Sequence, residues 1–408
     1  MVAGPQQVLL KVYQAAVQAV HGRRCVREAL KTYPCRAPVY LIAVGKAACA
    51  MAQGAQDVLG TGIADALIVA KRGFAEPMPW PVLEAGHPLP DEHSLAAGQA
   101  LLDFAARLPP GAGVLVLLSG GASALVEVLP QGVTLADLRA LNEWLLSSGL
   151  DIAACNRLRK RASCIKGGRL AEWLAPRPVL CLAISDVPDD DPRVIGSGLL
   201  AAGPEPMQSF DLFTAPEIVH AVLRHSPSAP LPGDACFQNV RVAIIAGLEA
   251  AKHAAAEAAH QLGYRATLHT EFVDGDALAA GARLAQALLA APPGEIQIWG
   301  GETTLVLPPH AGRGGRNQSL ALNAALALAG EKHVSFLSLG TDGSDGPTLD
   351  AGALVDGGTI ARGEMDGQNA SQALATADAG AFLEASGDLV QTGPTGTNVM
   401  DLMLGLRT

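Results

Sequence analysis

The sequence predicts an α/β protein of two domains, and three observations carry that prediction. Short continuous apolar runs recur, each ending in Gly, Ser or Asp, as in "VYLIAVG" (39–45), "GVLVLLSGG" (113–121) and "PVLCLAISD" (178–186). Runs of this kind fit central parallel strands covered on both faces. The composition is 49% hydrophobic but only 4% aromatic, which suits alternating strands and helices better than an aromatic-rich β-sandwich. The length, 408 residues, is enough for two or three domains.

Residues 1–30 read as an amphipathic helix, with Leu9, Val12, Ala16 and Val20 at helical spacing. Residues 39–59 give a buried strand, a Gly-Lys turn and a helix; the design recurs at 113–129 and, as a bare strand, at 178–187. These segments assign 1–223 to a doubly wound sheet, whose ligands belong at the C-terminal ends of its strands. The Pro-rich, aperiodic stretch "RHSPSAPLPGDACFQNV" (224–240) reads as a linker. Beyond it, "RVAIIAG" and an Ala-rich helix over 249–262 restart the α/β pattern. "EIQIWGGETTLVLP" alternates as strand–turn–strand, "QSLALNAALALAG" continues as a helix, and "HVSFLSLGTDGSDGP" is a strand running into a Gly/Asp loop. The expectation is a second α/β domain over 241–408, with the Gly-rich turns of both domains gathered around a cleft between them.

Composition excludes several function classes. The formal net charge of −10 and the lack of a long basic run disfavour a nucleic-acid partner, though local arginines can still hold a small anion. Seven cysteines, an odd number with no C-x-x-C pair, read as free thiols in a reducing compartment rather than a disulfide framework or zinc ribbon. The N-terminus lacks the layout of a signal peptide, and no apolar run reaches the ~18 residues of a membrane span, so a soluble cytoplasmic protein is expected. "GSGLLA" (196–201) fits G-x-G-x-x-A, but Gly203, Pro204 and Pro206 follow where a dinucleotide-binding motif needs a helix.

The turns carry the chemistry. Lys46 follows a strand at the head of a helix, where backbone N–H groups and the helix dipole favour an anion; a surface lysine with its stem along the protein gives the same pattern. "SGGASAL" (119–125) places Ser119, Gly120, Gly121 and Ser123 at a second such turn, either an anion cradle or a serine-capped helix start. "NRLRKRASCIKGGRLAEW" (156–173) holds six basic residues before its first acid, among them Arg159 and Lys166, and runs from Asn156 through the Lys166-Gly167-Gly168 turn. A solvated basic face and an anion contact both fit it. Asp186 in "SDVPDDDP" and Asp342 and Asp345 in "GTDGSDGP" are carboxylates at strand ends, suited to Mg²⁺ or to capping their own loops. "GRGGRNQ" (312–318) sets Arg313 and Arg316 among glycines, with Arg316 immediately before a helix. A guanidinium there and the free N–H groups of the helix start can converge on one anion.

Taken in order, "VGKAACAM", "GHPLPDEHSLAAG", "LLSGGASALVEVL", "RKRASCIKGGRLA", "ISDVPDDDPRVIGSG", "GGETT", "GRGGRNQ", "GTDGSDGPT" and "TGPTGTNVMDL" resemble the D-glycerate 2-kinases whose C-terminal part is called the MOFRL domain. The series runs from about residue 40 to 402. The resemblance implies ATP-dependent phosphorylation of glycerate at its 2-hydroxyl, with Mg²⁺. It also implies a Rossmann-like N-terminal domain, a smaller α/β C-terminal domain and an active site in the cleft between them. It places the family's essential lysine on Lys46 and its essential arginine on Arg316, with Glu302, Thr395 and Asn398 at further matching positions. Two departures stand out: Leu349 and Asp350 where the family reads Asp-Ala, and "LLAAGPEP" after "GSG". Members have often been labelled hydroxypyruvate reductases, so a nicotinamide-dependent reductase is the rival enzyme. A non-catalytic anion-binding protein is the third reading, and a homo-oligomer is left open.

Overall fold

The computed structural model describes residues 4–148, 152–203 and 215–408. The chain forms two compact units, one of residues 22–245 and one of residues 1–21 with 246–408.

The 22–245 unit is built on a six-stranded sheet, β1 (Val39–Val44), β2 (Ile63–Lys71), β3 (Val82–Ala85), β4 (Gly113–Leu118), β5 (Val179–Ile184) and β6 (Val240–Ala246), in the order β3-β2-β1-β4-β5-β6. The pairings of β1 with β2 and β4, of β2 with β3 and of β4 with β5 are all parallel. The predicted strands β1, β4 and β5 lie in its centre and are buried along nearly their whole length, as continuous apolar runs require. The chain reverses order on either side of β1 and β4, which makes the ends of those two strands the natural place for a ligand. On one face lies the helix Glu92–Arg107, started by a reciprocal cap between Asp91 and Ser94. Gly98 within it lets the helix press on the backbone of Glu127, where a Cβ would collide with the carbonyl.

The second unit carries a mixed sheet of β7 (Arg265–Val273), β8 (Glu295–Gly301), β9 (Val334–Gly340), β10 (Gly352–Asp356), β11 (Leu389–Val390) and β12 (Asp401–Arg407), ordered β11-β10-β9-β12-β8-β7. Only β7 and β8 pair in parallel. The helices Ala277–Ala290 and Arg316–Leu328 pack against each other so closely that a Cβ on Gly281 would meet the Leu320 carbonyl.

Three expectations change. The helix read over 1–30 is two helices, Pro5–Ala19 and Gly22–Thr32, and the first belongs to the second unit. Its buried face, including Leu9, Val12 and Ala16, packs in that unit, and Tyr13 donates its hydroxyl to the Gly340 carbonyl at 2.8 Å. The stretch read as a linker, 224–240, lies within the 22–245 unit. There the Pro227 and Ser228 carbonyls accept from the Arg169 guanidinium and the Phe237 ring packs on Gly168. The second arm of the strand–turn–strand at 295–308 does not form. Thr304 makes one isolated bridge to Asp276, and Val306 and Leu307 stand 85% and 62% exposed. Of the "LLAAGPEP" departure, Pro204, Glu205 and Pro206 lie outside the described residues.

Tyr13→Ala should lower the unfolding free energy of the protein by about 3–5 kcal/mol, the usual cost of emptying a buried aromatic site. Urea unfolding reads it; a loss near zero would mean the N-terminal helix is not part of that core.

Candidate active site

Close backbone approach builds the turn at the ends of β1 and β4. Gly45 has a φ of 135°, and any Cβ there would strike Ser119. The Ser119 N–H donates to the Val44 carbonyl, the Lys46 N–H to the Gly120 carbonyl, and the Ala47 N–H to Ser119 Oγ at 3.0 Å. Ser119 thus serves the neighbouring turn and does not cap its own. Gly121, with a φ of 83°, leaves room for both the His87 ring and the Lys46 stem, which a Cβ would approach to 3.0 Å and 3.3 Å. The Lys46 stem therefore lies against the turn, and the residue is half-buried.

A cavity of about 410 Å³ opens beside this turn, lined by Gly121, Ser123, Asn156, Arg159, Lys166 and Asp186 among others. Lys166 is buried and its ammonium lies 2.5 Å from the equally buried Glu127 carboxylate. Arg159 is oriented by Asn142, whose amide oxygen accepts from Nε at 2.9 Å, and by Asn156 at 3.3 Å. Lys160 also lines the cavity; burial pulls its ammonium below the usual lysine range, and it donates to the Arg193 carbonyl at 2.6 Å. Gly167 and Gly168 take left-handed backbone (φ 63° and 88°) and donate to the carbonyls of Ser197 and Gly198, so their N–H groups brace the loop. Ser123 and Ser197 share a hydroxyl hydrogen bond of 2.7 Å, and Ser197 is itself held at a φ of 60°. Non-glycine residues held in that region collect at functional sites.

In the second unit, Arg316 is the first residue of its helix. Its Nε and one terminal nitrogen grip the buried Asp401 at 2.7 Å and 3.1 Å, and the other terminal nitrogen meets Glu302 at 2.8 Å. Burial opposes the charge, but the Asp401 carboxylate outweighs it and holds the guanidinium above its usual range. The anion at the start of this helix is the protein's own. Asp345 accepts from the Asn317 and Gln318 N–H groups at 3.0 Å and 2.8 Å, which corrects the expectation that those groups await a ligand. Arg313 binds Glu384 at 2.7 Å and reaches the buried Asp350 at 3.4 Å. Asp350 also takes a bond from Gln391, while Leu349 is 85% exposed, so the departure from the family pattern leaves a braced acid and a solvated leucine. Thr395 donates to the Thr341 carbonyl at 2.5 Å; Asn398 is buried nearby in sequence. Asp342 is buried and accepts from the N–H and hydroxyl of Ser344.

Among the described residues, no three His, Cys, Asp or Glu side chains gather to hold a metal ion. Asp186 lines the cavity wall, whereas the oxygens of Asp345 accept from the start of the Arg316–Leu328 helix. Sequence reasoning missed Glu127, Asn142, Ser197 and Asp401. A lone acid inside an apolar run, as in "ALVEVL" and "VMDLML", was the available signal, because such acids are buried only when paired.

A domain family described as "Domain of unknown function (DUF4147)" matches residues 8–222, and the MOFRL family matches residues 295–401. A protein of Thermotoga maritima named D-glycerate 2-kinase is 36% identical, over 98% of this chain and 98% of its own length. The chain belongs to the glycerate 2-kinase family. A crystal structure of glycerate kinase from Thermotoga maritima superposes with a TM-score of 0.82 at 35% identity, covering 99% of each chain. A further family relative, from Agrobacterium vitis, carries a provisional hydroxypyruvate reductase name at 35% identity, over 97% of this chain and 93% of its own. No helix among the described residues of this family member is long and apolar enough to cross a membrane.

Lys166→Met removes one partner of a buried pair and should cost about 3–5 kcal/mol of stability, whereas Lys166→Met with Glu127→Leu should recover much of it. Urea unfolding of both decides; equal losses would mean the exposed charge is not the cost. Burial pushes the Asp345 carboxyl up to about 6 against the N–H bonds it accepts. Since an unfolded Asp titrates near 3.9, stability from its protonated form is full below about 3.9 and is lost as pH rises through the folded value. Asp345→Asn should flatten the stability–pH curve across that window. An unchanged slope would show that Asp345 does not titrate there.

Proposed function

We propose that this protein transfers the γ-phosphoryl group of ATP to the 2-hydroxyl of D-glycerate, giving 2-phosphoglycerate and ADP. Glycerate phosphorylation is the activity of the family to which the chain belongs. The observation that supports it here is the cavity at the strand ends, where Arg159, Lys160 and Lys166 outnumber the lining acids Asp186 and Glu127. An excess of fixed cations suits a ligand with a carboxylate or phosphates.

Phosphoryl transfer passes through a loose transition state with charge on peripheral oxygens, so catalysis is mostly positioning and cationic stabilisation. In this reading Lys46, steadied against Gly121, and Arg316, aimed by Asp401, are the catalytic cations. Arg159 and Lys166 hold the substrate, and Glu302, the more exposed partner of Arg316, yields its place to a phosphoryl oxygen. Asp186 would hold Mg²⁺, which when bound neutralises phosphate charge. Arg313 braces its loop against Glu384 and Asp350 and stands outside the chemistry. The same transition state asks little early proton removal from the hydroxyl, so no strong base is required.

The deciding assay pairs ADP formation from ATP and D-glycerate with NAD(P)H loss on hydroxypyruvate. ADP formation alone supports the kinase; reductant loss would establish the reductase, and neither a binding protein. With activity established, Lys46→Met should remove most turnover without unfolding the protein. Arg316→Lys should lower kcat about 100-fold, as for loss of one pre-organised donor, and Arg313→Lys should leave kcat within about threefold. Steady-state kinetics with circular dichroism check all three, and a folded Arg316→Lys with near-normal kcat would move the catalytic role elsewhere.

A further inference from the structure

The strands of the 22–245 unit also have N-terminal ends, and a larger cavity lies there. It measures about 730 Å³ against about 410 Å³ at the opposite edge, and the two share no lining residue. Its volume falls within the ~300–1,000 Å³ of small-molecule sites. The segments entering the strands supply its walls: Pro34 and Pro38 before β1, Pro109 and Pro110 before β4, Pro178 before β5. Proline has a fixed φ and no N–H, so these segments frame an opening that ordinary turns would hydrogen-bond shut.

The charges in this cavity have one sign. Arg36 and Arg241 line it and no Asp or Glu does, in a chain with 39 acidic residues against 29 Lys and Arg. Among the described residues neither guanidinium is paired with a carboxylate. Arg241 instead lies over the Tyr33 ring, 4.4 Å from its centre, which holds the fork in place without neutralising it. Tyr33, Tyr40 and the prolines add flat apolar faces.

We propose that this cavity binds a planar aromatic anion, its ring against Tyr33 and the proline walls and its anionic group on the forks of Arg36 and Arg241. A guanidinium fork takes an oxyanion through paired oxygens, and the Tyr40, proline and remaining Tyr33 surfaces that line the cavity give the body of such a ligand its own contact. The site stands apart from the phosphoryl-transfer reading and does not depend on it.

The probe is 8-anilinonaphthalene-1-sulfonate, titrated by fluorescence into the full-length protein. One saturable site is expected, weakened at least about tenfold by the double variant Arg36→Gln, Arg241→Gln, which removes the charged donors. Tyr33→Leu should weaken it several-fold, and N-phenyl-1-naphthylamine, the same rings without the sulfonate, should bind at least about tenfold more weakly. The folded Lys46→Met variant, altered at the opposite strand ends, should bind the probe as tightly as the unaltered protein does. Circular dichroism confirms folding of each variant, and ADP formation should be unchanged in the arginine variant. Absence of saturable binding, equal affinity for the uncharged amine, loss of binding in the folded Lys46→Met variant, or full affinity in the folded arginine variant would each overturn the assignment.

Discussion

Asp345 is wholly buried, and what it holds is the first turn of the Arg316–Leu328 helix. The N–H groups of Asn317 and Gln318 and the Gln318 side chain all donate to it. Orphan N–H groups at a buried helix start must find an acceptor, and a carboxylate is the strongest one the chain can offer. The bond ties the loop after β9 to Asn317, 28 residues earlier in the first turn of that helix, and so fixes the point from which Arg316 projects. Asp401, the first residue of β12, then sets the direction of the guanidinium. Tyr13 extends this polar core downward, its burial and the Asp342 and Asp401 carboxylates together pushing its phenol far above the ordinary range. An arginine held by two carboxylates keeps one geometry, at the expense of net charge at that point.

The 22–245 unit solves the opposite problem. Its cavity concentrates cations, and each is held by a different device: Lys166 by a buried carboxylate, Arg159 by two amide oxygens, Lys160 by a backbone carbonyl. The buried Glu127 neutralises the first, while the amide and carbonyl oxygens orient the other two without adding a charge of their own. The helix Glu92–Arg107 is indirectly part of this arrangement. Its Gly98 admits the Glu127 backbone and its Ser94 carbonyl accepts the Glu127 N–H, which fixes where the pairing carboxylate starts.

Much of this was legible in the chain. Strands β1, β4 and β5 announce themselves because a strand covered on both faces has no reason to alternate, and the glycines at 45 and 121 mark turns that permit no Cβ. The N-terminal boundary was not legible, because the helical spacing of Leu9, Val12, Ala16 and Val20 passes without a proline or a cap into that of Val26 and Leu30. Which core a helix joins is not local information. The supposed linker failed for the same reason: Pro227 and Ser228 look like loop residues until Arg169 claims their carbonyls. Asp345 reads in the sequence as a candidate metal ligand, but spacing cannot distinguish an acid that awaits a cation from one that closes a helix.

The discontinuity of the second unit bears on how the chain is made. Tyr13 emerges from the ribosome early, yet its acceptor, the Gly340 carbonyl, follows 327 residues later. At the ordinary pace of synthesis, about 5–20 residues per second, the apolar face of the Pro5–Ala19 helix waits for tens of seconds without its native neighbours. The 22–245 segment suffers no such delay, since its core closes on itself as soon as β6 is complete. Midway through synthesis the chain thus holds one unit whose residues are all present and a helix whose apolar face has no native partner until the strands through β12 are released.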